Sequence, residues 1–193
     1  MSSFQRNSQL RMLYSVGEFF RLFADVFRSM RRLASLPEES KISPAFSERI
    51  MLAVCGVNEC SYCSYLHSKT ALERGVDADD IEFLLNGTWD KLPREELPAL
   101  LYAQHFSETR ARVSSDAREF FIRYYGEEAA EQIEAYIKSV FFGNLCCNTV
   151  YVREHRRAST QATGYVPTLW LYLLCKPISL MIRRRERMYR NTV

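Results

Sequence analysis

Residues 48–67 read Glu48-Arg-Ile-Met-Leu-Ala-Val-Cys-Gly-Val-Asn-Glu-Cys60-Ser-Tyr-Cys63-Ser-Tyr-Leu-His67. Residues three and four positions apart are neighbours on one face of an α-helix, so Cys60, Cys63 and His67 are expected to share a face. Cys63 and His67 are then one turn apart, and the imidazole can take the thiol proton directly or through one water. The spacing predicts a redox-active pair of thiols with its own proton acceptor.

Two features are expected to tune this pair. Cys60 falls at the start of a predicted helix, where unpaired backbone N–H groups favour a thiolate. Lowering a thiol pKa from about 8.5 to about 6.5 raises the thiolate fraction at neutral pH about tenfold to thirtyfold. Glu48, on the preceding predicted helix, can orient His67 and accept its proton.

Other interpretations compete for the same cysteines. Cys55-x4-Cys60-x2-Cys63 has the spacing of a plant-type ferredoxin cluster, but no well-placed fourth cysteine follows. Cys55, Cys60, Cys63 and His67 could instead bind zinc, although zinc motifs usually bring their second pair of ligands from elsewhere in the chain. The cysteines could also be small core residues. The dithiol is the favoured interpretation, and we predict no metal and no cofactor.

The length and composition limit the number of domains and the class of protein. The chain has 193 residues, of which 47% are hydrophobic and 25% charged, as expected for one globular domain. Residues 1–32 have no uninterrupted apolar run of the signal-peptide kind. We therefore expect a cytoplasmic protein whose six cysteines are thiols rather than a disulfide framework.

Periodicity predicts helices throughout. An amphipathic helix is expected over residues 8–35, and a polar linker over 37–41. Ser43-Pro44 starts a second helix that Gly56 could end, and Asn58 could cap a third from about Cys60 to Arg74. Further helices are predicted from Asp77 to Gly87, from Pro93 to about Arg112, from Ser114 or Ser115 to Gly126, and from Glu127 to Arg157. No stretch alternates for long enough to predict a strand.

The two ends of the chain are basic and the middle is acidic. Residues 1–36 carry a net charge of +4 and residues 153–193 carry +7; because the whole chain carries +3, residues 37–152 carry −8. Residues 169–182 are apolar but interrupted by Lys176-Pro177, and are too short for a bilayer, which needs about 20 residues. We expect this basic, apolar arm to pack on this or another subunit; an interfacial membrane helix is the less favoured alternative.

The pattern Glu48-x11-Cys60-x2-Cys63-x3-His67 resembles the alkylhydroperoxidase AhpD-like, or carboxymuconolactone decarboxylase, family at every spacing. The following Ala71-Leu72-Glu73-Arg74-Gly75-Val76 also looks like that family. The resemblance spans about residues 35–155. It implies an all-α helical bundle (residues 37–157), to which this chain adds an N-terminal helix (1–36) and a C-terminal arm (158–193).

The resemblance also implies roles. Cys63 would be the peroxidatic cysteine, Cys60 the resolving cysteine, and His67 and Glu48 the proton relay of a hydroperoxide reductase. Tyr62 stands where the founding hydroperoxidase has a second histidine. The decarboxylase branch lacks the cysteine pair, so ring decarboxylation is not expected. A lipoylated or thioredoxin-like dithiol protein would be the reductant.

Two alternatives of function stay open at this point. One is a thiol–disulfide oxidoreductase without peroxide specificity, in which Cys60 would be the nucleophile. The other is a non-catalytic, redox-sensing oligomer. In each case we expect a homo-oligomer, a trimer or hexamer, and no nucleic-acid partner. Cys146, Cys147 and Cys175 are interpreted as packing residues, and His105 and His155 as residues without a functional role.

Overall fold

The computed structural model describes residues 11–37, 42–87, 92–155 and 167–191, which contain α-helices and no β-strand. The helices in these ranges are α1 (Val16–Ser35), α2 (Pro44–Asn58), α3 (Ser61–Glu73), α4 (Ala78–Asn86), α5 (Leu97–Glu108), α6 (Ser115–Tyr125), α7 (Glu127–Glu154) and α8 (Leu169–Asn191). The prediction of an all-α fold is confirmed. Residues 8–10, most of the predicted linker and residues 156–166 lie outside the described ranges.

Two helices form the centre of the fold. Most of α2 is buried, and the 28-residue α7 packs against α1, α2 and α8. The short α3 contacts α2 on one side and α7 and α8 on another. The start of α3 therefore lies in the interior of the protein, between the two central helices and α8.

Gly56 lies inside α2 and does not end it, which corrects the sequence prediction. The helix continues to Asn58 and ends at Glu59, whose φ of 53° is left-handed and whose N–H donates to the Cys55 carbonyl. A Cβ at position 56 would lie 2.8 Å from the carbonyl oxygen of Leu84 and 2.9 Å from that of Leu85. Glycine is therefore needed at this position for α2 to touch the backbone of α4.

Alanine at position 56 should destabilise the protein. Backbone carbonyls cannot rotate away as a side chain can, so we expect Gly56→Ala to lower the free energy of unfolding by about 1–3 kcal/mol in urea denaturation. Gly143→Ala is the matched control, since its Cβ would meet only the Ile182 side chain at 3.4 Å. That variant should be neutral or gain about 0.5–1 kcal/mol from helix propensity. Equal effects of both substitutions would contradict this explanation.

The helix α1 begins at Val16, later than the predicted residue 8. Ser15 caps it by accepting a hydrogen bond from the Glu18 N–H. The preceding segment is not helical, because it is tied to α7: the Leu13 N–H donates to the Thr149 hydroxyl. This contact across the fold overrides the local helical pattern.

Two other predicted helix boundaries also move. The helix α5 begins at Leu97 rather than Pro93, because Pro98 lacks an N–H and fits only the first turn. The cap of α3 is Cys60, not Asn58, which is the last residue of α2. The predicted caps Asp77, Gly87 and Ser114 are in place.

The last helix, α8, continues through Pro177. An interior proline costs about 3 kcal/mol in an isolated helix, and burial of one face against the rest of the chain offsets this cost. That face includes Leu171, Cys175 and Ser179, all fully buried. The helix packs on α7 and α3 of its own chain. Within the described ranges, no helix combines the length and apolar composition needed to cross a membrane.

Candidate redox site

The two cysteines of the Cys-x-x-Cys motif lie together at the start of α3. Cys60 is the N-cap residue and Cys63 is in the first turn, so one turn of helix brings their side chains together. Their Sγ atoms are 2.8 Å apart, and both thiols are free and buried. A disulfide bond needs a sulfur separation of about 2.05 Å, so a small movement joins them.

Glu48 links α2 to α3 beside this pair. Its Oε2 lies 2.8 Å from Nδ1 of His67, and its Oε1 accepts a hydrogen bond of 2.7 Å from Nη1 of Arg74. A buried carboxylate needs such partners, and the Glu48 side chain is only 3% exposed. Among the described residues, Nδ1 is the only nitrogen of His67 with a hydrogen-bond partner.

The structure does not join His67 directly to a thiol. Among the described residues, the hydrogen-bond partner of His67 is Glu48, and neither Cys60 nor Cys63 bonds to the ring. The side chain of His67 is 19% exposed, so solvent reaches it. A proton from Cys63 would therefore reach the ring through water or a small movement, which the one-turn spacing of the two residues permits.

A third cysteine lies in the same cluster. The Sγ atoms of Cys60, Cys63 and Cys147 all lie within 4.8 Å of one another, and all three residues are buried. Cys147 comes from α7, more than eighty residues later in the chain. The sequence interpretation of Cys147 as a packing residue missed this contact, because no local spacing links it to the motif.

Cys147 is the cysteine of this cluster that carries the negative charge of a thiolate. Hydrogen bonds from Cys60 and Cys63, with Ser179 and the positive charge of Arg183, lower the pKa of Cys147 to about 4 despite its burial. Burial is the main cause that raises the pKa of Cys60. Hydrogen bonds with Cys147 and Cys60, together with burial, raise the pKa of Cys63. The expected lowering of the Cys60 pKa by its helix N-terminus is therefore wrong, because burial disfavours the charged thiolate at this position.

Arg183 brings a positive charge to this cluster from α8. Its Cζ lies 4.6 Å from the centre of the Tyr62 ring, and its Nη1 donates to Glu154 Oε2 at 3.0 Å. Among the described residues, its buried Nε and Nη2 have no hydrogen-bond partner. The buried Ser179 hydroxyl likewise has none at hydrogen-bond distance in this part of the chain, but it is close enough to Cys147 to lower the pKa of that thiol. The helix α8 thus supplies the groups that stabilise the thiolate.

A single thiolate should persist in the reduced protein at acidic pH. We expect the ultraviolet absorbance of one thiolate per chain to remain as the pH falls from 8 and to disappear with a midpoint of about 4. Cys147→Ser should remove this signal, and Cys146→Ser, at the adjacent position, should keep it. A signal that survives in Cys147→Ser would show that another cysteine carries the charge.

The same titration should affect stability. The folded-state pKa of Cys147 lies below that of an unfolded thiol, about 8.5. The thiolate of Cys147 therefore makes its maximal contribution to the free energy of unfolding above about pH 8.5. This contribution is lost as the pH falls through about 4.

The zinc site considered from the sequence does not form in the described part of the chain. Cys55 lies apart from the cluster and contacts Asn144, with Sγ 3.7 Å from Oδ1. The residues that could hold a metal ion are Cys60, Cys63 and Cys147. Two thiolates on one zinc ion at about 2.3 Å in tetrahedral geometry lie about 3.8 Å apart. The separation of 2.8 Å between Cys60 and Cys63 therefore suits a dithiol better than a pair of ligands.

The fold and the dithiol define an all-helical thiol protein, and comparison with known families narrows this class. The model of the carboxymuconolactone decarboxylase family matches residues 18–97, which contain Glu48, Cys60, Cys63 and His67. This part of the chain is similar to that family, which includes enzymes of both decarboxylase and AhpD-like peroxidase type. The resemblance found in the sequence is confirmed.

The match differs in extent from the resemblance seen in the sequence. It begins within α1 and ends at the first residue of α5, instead of spanning about residues 35–155. Cys147 and Arg183 therefore lie outside the matched segment. No curated protein and no solved structure matches the chain.

Proposed function

We propose that this protein is a thiol-dependent peroxidase that reduces alkyl hydroperoxides at Cys63. The observation that carries the proposal is the pair of sulfur atoms 2.8 Å apart, one helical turn from the Glu48–His67 pair. This arrangement combines a nucleophile, a resolving thiol and an oriented base. The family match supports an enzyme with this chemistry.

The reaction has three steps. Cys63 loses its proton toward His67, and its thiolate attacks the terminal oxygen of the hydroperoxide; the O–O bond breaks and the alcohol leaves after taking up a proton. Cys63 is then a sulfenic acid. The Cys60 thiol attacks the Cys63 sulfur, which releases water and forms the Cys60–Cys63 disulfide. A dithiol donor, lipoylated or thioredoxin-like, then reduces this disulfide by exchange.

Burial of the pair favours a small substrate. Cys60 is fully buried and Cys63 is 2% exposed. A hydroperoxide group on a slim chain needs a much smaller opening to reach sulfur atoms at this depth than a disulfide on the surface of a folded protein. Peroxide reduction is therefore favoured over protein thiol–disulfide exchange, and by the same reasoning a lipoyl arm is favoured as reductant over a thioredoxin-like protein.

Stopped-flow oxidation of the reduced protein tests the proposal. Hydrogen peroxide, cumene hydroperoxide and a protein disulfide are compared at equal concentration. A fast phase with cumene hydroperoxide supports the peroxidase. A fast phase only with the protein disulfide favours the oxidoreductase, and no fast phase with any of the three favours a redox-sensing role. Because the pKa of Cys63 is raised, the peroxide phase should accelerate as the pH rises above neutral.

The proposed reaction also indicates where the protein works. Cys60 and Cys63 must return to the reduced state after each turnover. Reduced thiols persist in the cytosol and are oxidised in exported proteins. We therefore place the proposed activity in the cytoplasm.

A homo-oligomer, trimer or hexamer, is part of the proposal. The helix α1 exposes an apolar stripe of Phe20, Phe23, Phe27 and Met30. Contiguous exposed apolar surface of this kind usually marks an interface, and symmetric closure would cover it.

Substitution within this stripe should dissociate the assembly. We expect light scattering to give the mass of a trimer or hexamer for the intact chain, and a smaller mass for Phe23→Glu with Phe27→Glu. Phe120→Glu is a matched control, since Phe120 is 60% exposed on a different helix, α6. A monodisperse monomer for the intact chain would contradict the prediction.

A further inference from the structure

Cys147 has no role in the two-cysteine reaction, although its sulfur lies against both of the sulfurs that react. All three atoms are within 4.8 Å of one another in a fully buried cluster. A thiolate attacks a disulfide sulfur whenever the two are in contact and the leaving sulfur is free to depart. Once Cys60 and Cys63 are joined, Cys147 is the thiol placed to attack them.

We propose that Cys147 is a third redox-active thiol of this site and exchanges with the Cys60–Cys63 disulfide. The formation of the first disulfide by hydroperoxide rests on the function proposed above. The exchange itself does not, because it starts from the disulfide whatever oxidant formed it.

The exchange step balances without a further reactant. The Cys147 thiolate attacks the sulfur of Cys60; a Cys147–Cys60 bond forms and the Cys60–Cys63 bond breaks. The negative charge moves from Cys147 to Cys63. The protein remains oxidised by two electrons throughout, since one disulfide replaces another.

Attack on Cys60 follows from its position in α3. Cys60 stands before the first turn, as the N-cap residue, whereas Cys63 is inside the helix. The departure of Cys63 therefore leaves the helix intact.

Arg183 and Ser179 position the attacking group. Both come from α8, and both have buried polar atoms with no hydrogen-bond partner among the described residues, namely Nε and Nη2 of Arg183 and Oγ of Ser179. Glu154 holds the guanidinium through Nη1, and the Tyr62 ring covers its face. Tyr62 lies between Cys60 and Cys63 in sequence, so the cation is fixed beside the dithiol. A fixed cation favours the thiolate over the thiol.

The exchange would move the disulfide from α3 to the α3–α7 interface. Cys63 would then be a thiolate again while the oxidising equivalents are held between Cys60 and Cys147. The peroxidatic sulfur would thus be regenerated before any external dithiol arrives. The other buried cysteines stay outside this exchange: Cys55 contacts Asn144, and burial above all raises its pKa to about 12.

Disulfide mapping after oxidation with diamide tests the proposal without any peroxide. The full-length Cys63→Ala protein, reduced and then treated with one equivalent of diamide, should form a Cys60–Cys147 disulfide that peptide mass spectrometry detects after acid quench. Adding Cys146→Ser should leave this product unchanged, and adding Cys147→Ser should leave Cys60 as a free thiol, with no other cysteine taking the place of Cys147. The wild-type protein should give both the Cys60–Cys63 and the Cys60–Cys147 disulfides.

A second variant tests the role of Arg183. Arg183→Gln removes the charge beside the cluster, and we expect a smaller share of the Cys60–Cys147 disulfide in that variant at pH 6, with the thiolate absorbance lost at a higher pH. Circular dichroism confirms that each variant is folded.

The proposal is overturned if folded Cys63→Ala forms no Cys60–Cys147 disulfide, or if purified protein holds stoichiometric zinc or copper that protects all three thiols. Mapping that finds the exchange in a protein without a fast peroxide phase would retain the third thiol and reject the peroxidase.

Discussion

Alanine at Cys63 should abolish turnover of alkyl hydroperoxides. The thiol of Cys63 is the attacking sulfur in the proposed reaction, and a methyl group cannot take up oxygen. We expect kcat to fall to the level of the uncatalysed reaction in a coupled assay with a dithiol reductant. Cys60→Ser should behave differently: it should permit one oxidation and then stop as a sulfenic acid that a dimedone-type probe traps.

The matched control is Cys55→Ser, which changes another fully buried cysteine on the neighbouring helix α2. Its sulfur contacts Asn144 rather than the cluster, so turnover should be retained in whatever fraction of the protein is folded. If Cys60→Ser blocks the first oxidation and Cys63→Ala does not, the two roles are reversed. If both variants turn over normally, the dithiol is not the site.

Loss of the Glu48–His67 pair should slow the reaction about a hundredfold, as expected for removal of a general base. Glu48→Gln keeps the shape of the side chain but leaves His67 and Arg74 without their shared carboxylate. His67→Asn removes the proton acceptor itself. Steady-state kcat/KM with cumene hydroperoxide measures both effects, and a hundredfold loss corresponds to about 2.7 kcal/mol in the barrier.

Glu134→Gln is the matched control, because it neutralises a different buried carboxylate outside the candidate site. Glu134 is buried on α7 and accepts hydrogen bonds from Tyr102, Arg118 and Lys138. This variant should lose stability but keep the rate of the folded fraction. Unchanged rates for both Glu48→Gln and His67→Asn would remove the proton relay from the mechanism. A rate that rises more steeply with pH in His67→Asn than in the unmodified protein would show that solvent replaces the base.

Local spacing in the sequence was sufficient for the helices and for most of the site. Cys60 and Cys63 were expected on one face because they are three positions apart, and their sulfur atoms are in contact. Glu48 and His67 were expected to pair across two successive helices, and they do so at 2.8 Å. Ser114 and Gly87 mark helix ends because their preferences act within one turn of the chain.

Only the tertiary structure decided the positions of helix boundaries that depend on distant contacts. The segment before Val16 carries a helical pattern, but its Leu13 N–H is held by Thr149 of α7. The sequence predicts that Gly56 ends a helix, whereas in the structure it allows the backbone of α4 to approach closely at Leu84. Periodicity describes one element at a time and carries no information about which other element will press against it.

The sequence by itself determined the Cys60–Cys63 pair, the Glu48–His67 pair and the all-helical class, because each depends on residues one helical turn or one connection apart. The tertiary structure alone decided where the charge lies. Cys147 and Arg183 join Cys60 and Cys63 only because α7 and α8 close over the start of α3. Burial then raises the pKa of Cys60, while hydrogen bonds from the two motif thiols, and a distant arginine, lower that of Cys147. Desolvation and long-range contacts exist only in the folded protein, so no motif could reveal them.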